Sequence, residues 1–301
     1  MEAIDVRDLS KSFNGLSAVD RVTFTVHQGE IFGFLGPNGA GKTTTVRMLT
    51  GVLKPDAGEA RVRGHDLKTD LVKAKAVLGV VPETANAYGD LTAWGNLMLI
   101  ASLYGIPRRD GEQRAARLLT EFGLYERRAS KVKGFSKGMK QRLMLAMALV
   151  SNPEVLFLDE PTSGLDVQSA RSIRQKIRAL RDEGRTVFLT SHNMQEVSML
   201  CDRVEIINRG QMVALESPEI LRHRIGGTVT VEFSFDKTPS SPPPSAERIG
   251  DAYRLYTTEP HEVISSIMGF ATRNGLKLIS VNVQSPSLED VFVKLTGGAP
   301  E

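Results

Sequence analysis

A single cysteine, Cys201, leaves no disulfide framework within the 301-residue chain. It follows Val197 and Leu200 at helical spacing, which predicts a core residue rather than a reactive thiol. Net charge is scarce as well. The 38 Lys and Arg stand against 35 Asp and Glu, a formal +3, too little by itself to mark a nucleic-acid binder. The balance is uneven: residues 226–301 hold 6 basic and 9 acidic residues, which leaves residues 1–225 at +6. That sign suits a polyanion-binding domain, and it suits any solvated surface equally well. No apolar run approaches the roughly 18 residues of a spanning helix; "LMLIASLYGI" and "LMLAMALV" are too short. The opening "MEAIDVRDLS" has no basic stretch leading into an apolar one, as a secretory signal would. These absences predict a soluble, intracellular protein that would act at a membrane only through a partner.

What is present is an ordinary apolar content of 41%, enough for a sizeable core. The length allows one domain of about 200 residues and a smaller one. "VDRVTFTV" alternates, with Val22, Phe24 and Val26 on one face, and predicts a half-buried, antiparallel strand. The runs at 31–35, 77–81, 155–158, 186–190 and 204–207 are apolar without alternation, as strands buried on both faces of a parallel sheet are. Helical patterns lie between them, including 169–182 with Ile173, Ile177 and Leu180 in step. Strands alternating with helices predict a three-layer α/β domain. After about residue 225 the composition changes. An alternating strand (228–235) and a proline-rich loop (238–245) precede two further strand patterns and two helical ones, a small β-β-α-β-α appendage.

"GPNGAGKT" (36–43) directly follows the buried strand 31–35 and fits G-x-x-x-x-G-K-[ST]. Gly36, Pro37, Asn38, Gly39, Ala40 and Gly41 form a loop whose backbone N–H groups can converge on phosphate oxygens. Lys42 places a point charge on the β and γ phosphates, the Thr43 hydroxyl is a Mg²⁺ ligand, and Thr44 continues into a helix whose N-terminus faces the same charge. In "VLFLDE" (155–160) a buried strand ends in two carboxylates, where open α/β sheets bind ligands. Asp159 can hold Mg²⁺ through its water shell and Glu160 can act as general base on the attacking water. No N-K-x-D sequence is present, so a guanine-reading GTPase is not expected. A third stretch, "FSKGMKQRL" (135–143), has the form of a second anion site at a helix start.

With that stretch the sequence resembles the ATP-binding cassette family of transporter ATPases, over residues 3 to about 215. Their signature is a Ser-x-Gly-x-Gln at a helix start, usually with Gly second; here it reads Ser136-Lys137-Gly138-Met139-Lys140-Gln141, so Gly, Met and Lys fill the third to fifth positions before Gln141. The resemblance implies that the signature of one subunit faces the nucleotide held by another. It implies that "SGLD" (163–166) lies where two subunits meet, that His192 contacts the γ phosphate and positions the attacking water, and that Phe13 stacks on adenine. Glu83 stands where the family usually has a Gln that touches Mg²⁺ and the attacking water. "FSKGMKQRL", "TSHNMQEVSMLCDRVEIINRG" and "PSLEDVFVKLTG" look like the ATPase subunits of type-2 exporters, such as the daunorubicin-resistance and sodium-extrusion types.

The expected fold is therefore a P-loop NTPase of the ABC type: a mixed, mainly parallel core sheet, an antiparallel β subdomain and an α-helical subdomain in residues 1–225, and an α+β accessory domain in 226–301. The expected activity is ATP hydrolysis with ATP and Mg²⁺, powering a membrane exporter. The implied partners are a second copy or a paralogous ATPase subunit and an integral membrane permease subunit, with no nucleic acid. The implied place is the cytoplasmic face of the cell membrane. Residues 91–106 fit the region that docks a short helix of the membrane subunit, and fit ordinary core packing equally. A soluble ABC ATPase of ribosomes or DNA is the rival reading. Translation-type members usually carry two cassettes and chromosome or repair members insert long coiled coils; neither feature is seen. A non-hydrolysing regulatory module is the other rival, and the presence of both Glu160 and His192 speaks against it.

Overall fold

A computed structural model describes residues 1–84, 87–224, 229–239, 241–284 and 287–296. The chain divides into two compact units, Met1–Leu215 and Glu216–Glu301. The first unit runs β1 (Glu2–Phe13), β2 (Leu16–His27), β3 (Ile31–Leu35), α1 (Lys42–Leu49), β4 (Ala57–Val62), β5 (His65–Asp66), α2 (Leu71–Ala76) and β6 (Leu78–Val81). It continues with α3 (Ala93–Leu103), α4 (Arg108–Glu121), α5 (Lys137–Leu149), β7 (Val155–Asp159), α6 (Val167–Asp182), β8 (Thr186–Ser191), α7 (Met194–Leu200), β9 (Arg203–Asn208) and β10 (Gln211–Glu216).

Two sheets organise this unit. The antiparallel one has the order β2-β1-β4-β5, and the other β10-β9-β3-β8-β7-β6, with β9, β3, β8, β7 and β6 all parallel. The continuous apolar runs of the sequence are the parallel strands, and every residue of β3, β7 and β8 is buried. A two-residue turn, Arg209-Gly210, joins β9 to β10, which such a short link can only do as a hairpin. The sheets meet through aromatic rings. Phe24 of β2 lies 5.4, 5.6 and 6.0 Å from the ring centres of Phe32, Phe34 and Phe188. The expected alternation of β2 holds, since Val22, Phe24 and Val26 are all buried. So is Cys201, whose thiol is pushed well up by burial.

Glu205 is an exception in this core. It stands on β9 opposite Phe34 and is fully buried. Burial pushes its carboxyl up to about 9, against a weaker opposing pull from the Val213 N–H and Arg203. The folded protein therefore keeps a proton that the unfolded chain releases near the ordinary glutamate range. Stability contributed by the neutral acid is complete below that range and is lost as pH rises toward about 9. We expect Glu205→Gln to gain over the parent by several kcal/mol between roughly pH 5 and 9, since each pH unit is worth about 1.4 kcal/mol. Urea unfolding at pH 6 and pH 9 measures this; an equal gap at both values would contradict it.

The second unit contains α8 (Pro218–Arg224), β11 (Val229–Phe235), β12 (Glu247–Ile249), β13 (Ala252–Thr257), α9 (Pro260–Arg273), β14 (Leu278–Gln284) and α10 (Leu288–Thr296). Its sheet has the order β12-β13-β11-β14. Ile267 of α9 packs on Val231, Phe233 and Tyr253. The sequence pattern lacks β12, which is three residues long and exposed throughout, and α8. The division falls ten residues before the expected 225/226 boundary, because α8 packs against α10 and so belongs to the second unit.

Candidate active site

The site forms at the carboxyl ends of β3, β7 and β8, which lie side by side in parallel register. The 36–43 loop turns from β3 into α1. Gly41 precedes the helix at φ +107°, and a Cβ there would stand 2.5 Å from the Ala18 carbonyl oxygen. Only glycine fits that turn. Ala40 is anchored in the core, donates its N–H to the Pro37 carbonyl at 3.2 Å and accepts from the Gly210 N–H at 3.0 Å. Asn38 and Gly39 are exposed at the tip, with Gly36 buried and Pro37 and Thr44 partly buried. The loop thus has a fixed base and an open crest.

Lys42 is 6% exposed. Its ammonium donates to the carbonyls of Gly36 at 2.7 Å and Pro37 at 3.1 Å and lies 3.4 Å from Glu160 Oε1. Asp159 Oδ1 accepts from Thr190 Oγ1 at 2.5 Å and from Thr43 Oγ1 at 3.4 Å. Glu160 follows in the left-handed backbone region, at φ +51°. Its N–H donates to the Thr190 carbonyl and hydroxyl, at 3.2 and 3.1 Å, which holds an unfavourable conformation in place. Its Oε2 lies 2.9 Å from His192 Nδ1. The Glu160 carboxylate is buried while the imidazole is half exposed. Lys42, Thr43, Asp159, Glu160 and His192, drawn from three separate stretches of sequence, are brought together. The arrangement can clamp a polyphosphate and take a proton from a water above it.

Other expected site residues lie further out. Phe13 is 45% exposed at the β1–β2 tip, so it is free of the core, and the Lys11 ammonium sits 5.6 Å from its ring centre. Glu83 is exposed just past β6. Val81, the last residue of β6, pairs with Leu158, two residues before Glu160.

The signature stretch divides. Ser136 caps α5, accepting from the Met139 N–H at 3.2 Å, and is exposed together with Lys137. Gly138 and Gln141, expected beside a partner's nucleotide, are buried within their own chain. Gln141 is 7% exposed, inside the helix packing. Gly138 abuts α6 of the same chain: a Cβ there would stand 2.5 Å from Ser169 Oγ. That hydroxyl is itself fixed on Asp166 at 2.7 Å, and Asp166 caps α6 through the Ser169 N–H at 2.8 Å. The Lys137 ammonium rests against Gly164. The start of α5 is thereby fastened to the 163–166 loop. Even Gly138→Ala should overpack this contact and cost about 1–3 kcal/mol in thermal or urea unfolding, with most of the loss recovered in Gly138→Ala/Ser169→Gly. Additive losses in the double variant would contradict the contact.

Sequence reasoning gave no role to Thr190 or to Glu196. Thr190 stood unremarked in "TSHN", two residues from His192. Glu196 falls in "NMQEVSML", where a lone carboxylate looks like a solvated helix face.

The fold and the site define a P-loop nucleotide hydrolase with an antiparallel sheet against its core and a second capped helix start. The comparisons agree. The ABC transporter family model matches residues 19–163. The linearmycin resistance ATP-binding protein LnrL of Bacillus subtilis (strain 168) is 35% identical over 305 residues, covering 98% of both chains. The Nod factor export ATP-binding protein I of Rhizobium sp. (strain N33) is 38% identical, over 98% of this chain and 97% of that one. A solved ATP-binding subunit of an ABC transporter superposes with a TM-score of 0.68 at 31% identity, covering 74% of this chain and 93% of its own. An ATP-binding cassette solved as a dimer with ADP and Pi gives 0.65 at 26% identity, over 71% and 98%. The chain belongs to the ABC transporter family and is an ATPase of that family.

Proposed function

We propose that this ATPase powers a membrane exporter, as a head-to-tail dimer docked on separate transmembrane subunits at the inner face of the cell membrane. The export reading is supported by relatives similar along the whole chain, whose names state resistance and export. Among the described residues no helix is long and apolar enough to cross a membrane, so a pathway across it would be supplied by another chain. The observation that carries the chemical part is Glu160, held between Lys42 at 3.4 Å and His192 at 2.9 Å. Glu160 takes the proton from the attacking water and the imidazole orients the carboxylate. Lys42 and the loop N–H groups hold the β and γ phosphates. Thr43 and Asp159, 3.4 Å apart, suit a small hard cation through oxygen. Mg²⁺ bound there supplies charge neutralisation for the phosphates. Phe13 offers an exposed ring for the adenine, and Glu83 an exposed carboxylate just past β6.

The dimer reading rests on Ser136 and Lys137, exposed at a capped helix start. Two-fold pairing would place that start over the partner's phosphate. For docking, the region 88–104 bears exposed Tyr88, Leu91, Leu103 and Tyr104. Buried Asn96 stiffens its base, exchanging hydrogen bonds with the Tyr88 backbone at 2.8 and 3.1 Å. We expect Leu103→Glu/Tyr104→Glu to keep the ATPase rate of the purified chain within about twofold, because surface changes rarely exceed 0.5 kcal/mol. The same variant should leave the membrane fraction of cells expressing the full transporter. Unchanged sedimentation with membranes would overturn this docking face.

A further inference from the structure

We infer that Glu196 is the positioning residue that sets the Glu160–His192 pair, an inference that rests on the catalytic reading above. Glu196 is 2% exposed in the first turn of α7. Three segments converge on its carboxylate. Thr162 Oγ1 donates to Oε1 at 2.5 Å, Ser191 Oγ donates to Oε2 at 3.3 Å, and Arg174 Nη1 of α6 lies 3.8 Å from Oε1. Thr162 stands two residues after Glu160, and Ser191 immediately before His192.

The backbone of the helix start is locked by the same group of residues. Asn193 caps α7 by accepting from the Glu196 N–H at 2.9 Å, and the Asn193 N–H donates to Ser191 Oγ at 3.0 Å. The Ser191 hydroxyl thus accepts from one side of the loop and donates to the carboxylate. One buried anion therefore fixes the loop after β7, which carries Glu160, and the loop after β8, which carries His192. Neither side chain of the pair touches Glu196 in a hydrogen bond, so its action runs through Thr162 and Ser191. Glu160 also sits in a left-handed backbone conformation, which persists only where its surroundings hold it.

This arrangement has an energetic reason. A buried carboxylate is tolerable only when several donors and a nearby cation satisfy it. A hydroxyl, a second hydroxyl and a guanidinium do so here, and each comes from a different segment. The satisfied group is a stiff junction. A general base needs that stiffness, because a misplacement of about 1 Å costs on the order of 10²-fold in rate.

The test uses the full-length chain and compares Glu196→Ala, Glu196→Gln and Thr162→Val with the parent. Binding of a fluorescent ATP analogue should change by less than about twofold in all three, since Lys42 and Thr43 are untouched. The kcat for ATP should fall roughly tenfold to a hundredfold in Glu196→Ala, as loss of outer-shell partners typically does. Glu196→Gln keeps an acceptor oxygen for one hydroxyl and should lose less. A double-mutant cycle separates positioning from general destabilisation. In a His192→Ala background, Glu196→Ala should cost little more, because the pair it sets is already broken. Additive losses, or an unchanged kcat in Glu196→Ala and Thr162→Val, would overturn the inference while Glu160-dependent hydrolysis stands. If Glu196→Ala does not fold, the same cycle run with Thr162→Val decides between these outcomes. Parent-like hydrolysis in Glu160→Gln would instead overturn the catalytic reading, and the inference with it.

Discussion

Glu160→Gln should hydrolyse ATP roughly 10²–10⁴-fold more slowly than the parent, the usual contribution of a positioned general base. An amide accepts a hydrogen bond from water but takes no proton. The geometry adds a second expectation about affinity. The Glu160 carboxylate lies 3.4 Å from the Lys42 ammonium and so competes with the phosphates for it. Removing the negative charge frees the ammonium and removes a repulsion from the γ phosphate. ATP should therefore bind at least as tightly to Glu160→Gln as to the parent, and remain bound. Single-turnover hydrolysis and equilibrium titration on one preparation measure both. A parent-like rate sinks the assignment of Glu160. A fall in affinity matching the fall in rate would mean that the carboxylate organises binding rather than chemistry.

Lys42→Ala should do the reverse. The ammonium is almost wholly buried between the Gly36 and Pro37 carbonyls and the Glu160 carboxylate. Its removal leaves a buried carboxylate without its cation and a cradle without its positive charge. Truncating one member of a buried charge pair costs about 2–5 kcal/mol, so ATP affinity should fall by tens to thousands of times. Lys42→Arg should not restore it, because a planar guanidinium fork does not fit the point-charge position defined by two carbonyls within 3.1 Å. Calorimetric titration with a non-hydrolysable ATP analogue is the check. An unchanged affinity in Lys42→Ala would remove the 36–43 loop as the nucleotide site.

Much of the core fold was legible because burial on both faces writes itself as an uninterrupted apolar run. Ile31–Leu35 was read to the residue. The antiparallel sheet was harder. β1 carries register shifts between Val6 and Leu9, with Asp8 at φ +47° between them, so its alternation breaks where a pattern search needs it. β4 carries the charged Glu59 and Arg61, and β5 is two residues long. Among the site residues, those fixed by local chemistry were legible: a glycine loop after a strand, acids at a strand end, a histidine at the next. Those fixed by the packing of two distant helices were not. Nothing in "FSKGMKQRL" says that Gly138 faces Ser169, thirty-one residues later, while Ser136 faces solvent. Glu196 was missed for the same reason, since its donors come from Thr162, Arg174 and Ser191.

The central claim is that one chain's capped helix start completes another chain's nucleotide site. Because Gly138 is tied into its own chain, the probe belongs on Ser136, which is exposed. One chain carries Lys42→Ala and keeps Ser136, so at a concentration that fills the parent site its own site stays largely empty. The other carries Ser136→Ala and keeps Lys42. The two are mixed with an ATP analogue bearing a photoreactive group on the γ phosphate, irradiated, and separated by a tag. Label on the Ser136 peptide of the Lys42→Ala chain, present only when the second chain is present, is the predicted result. Label that never reaches the Lys42→Ala chain, while chains retaining both residues label their own Ser136 at every dilution, would contradict the account.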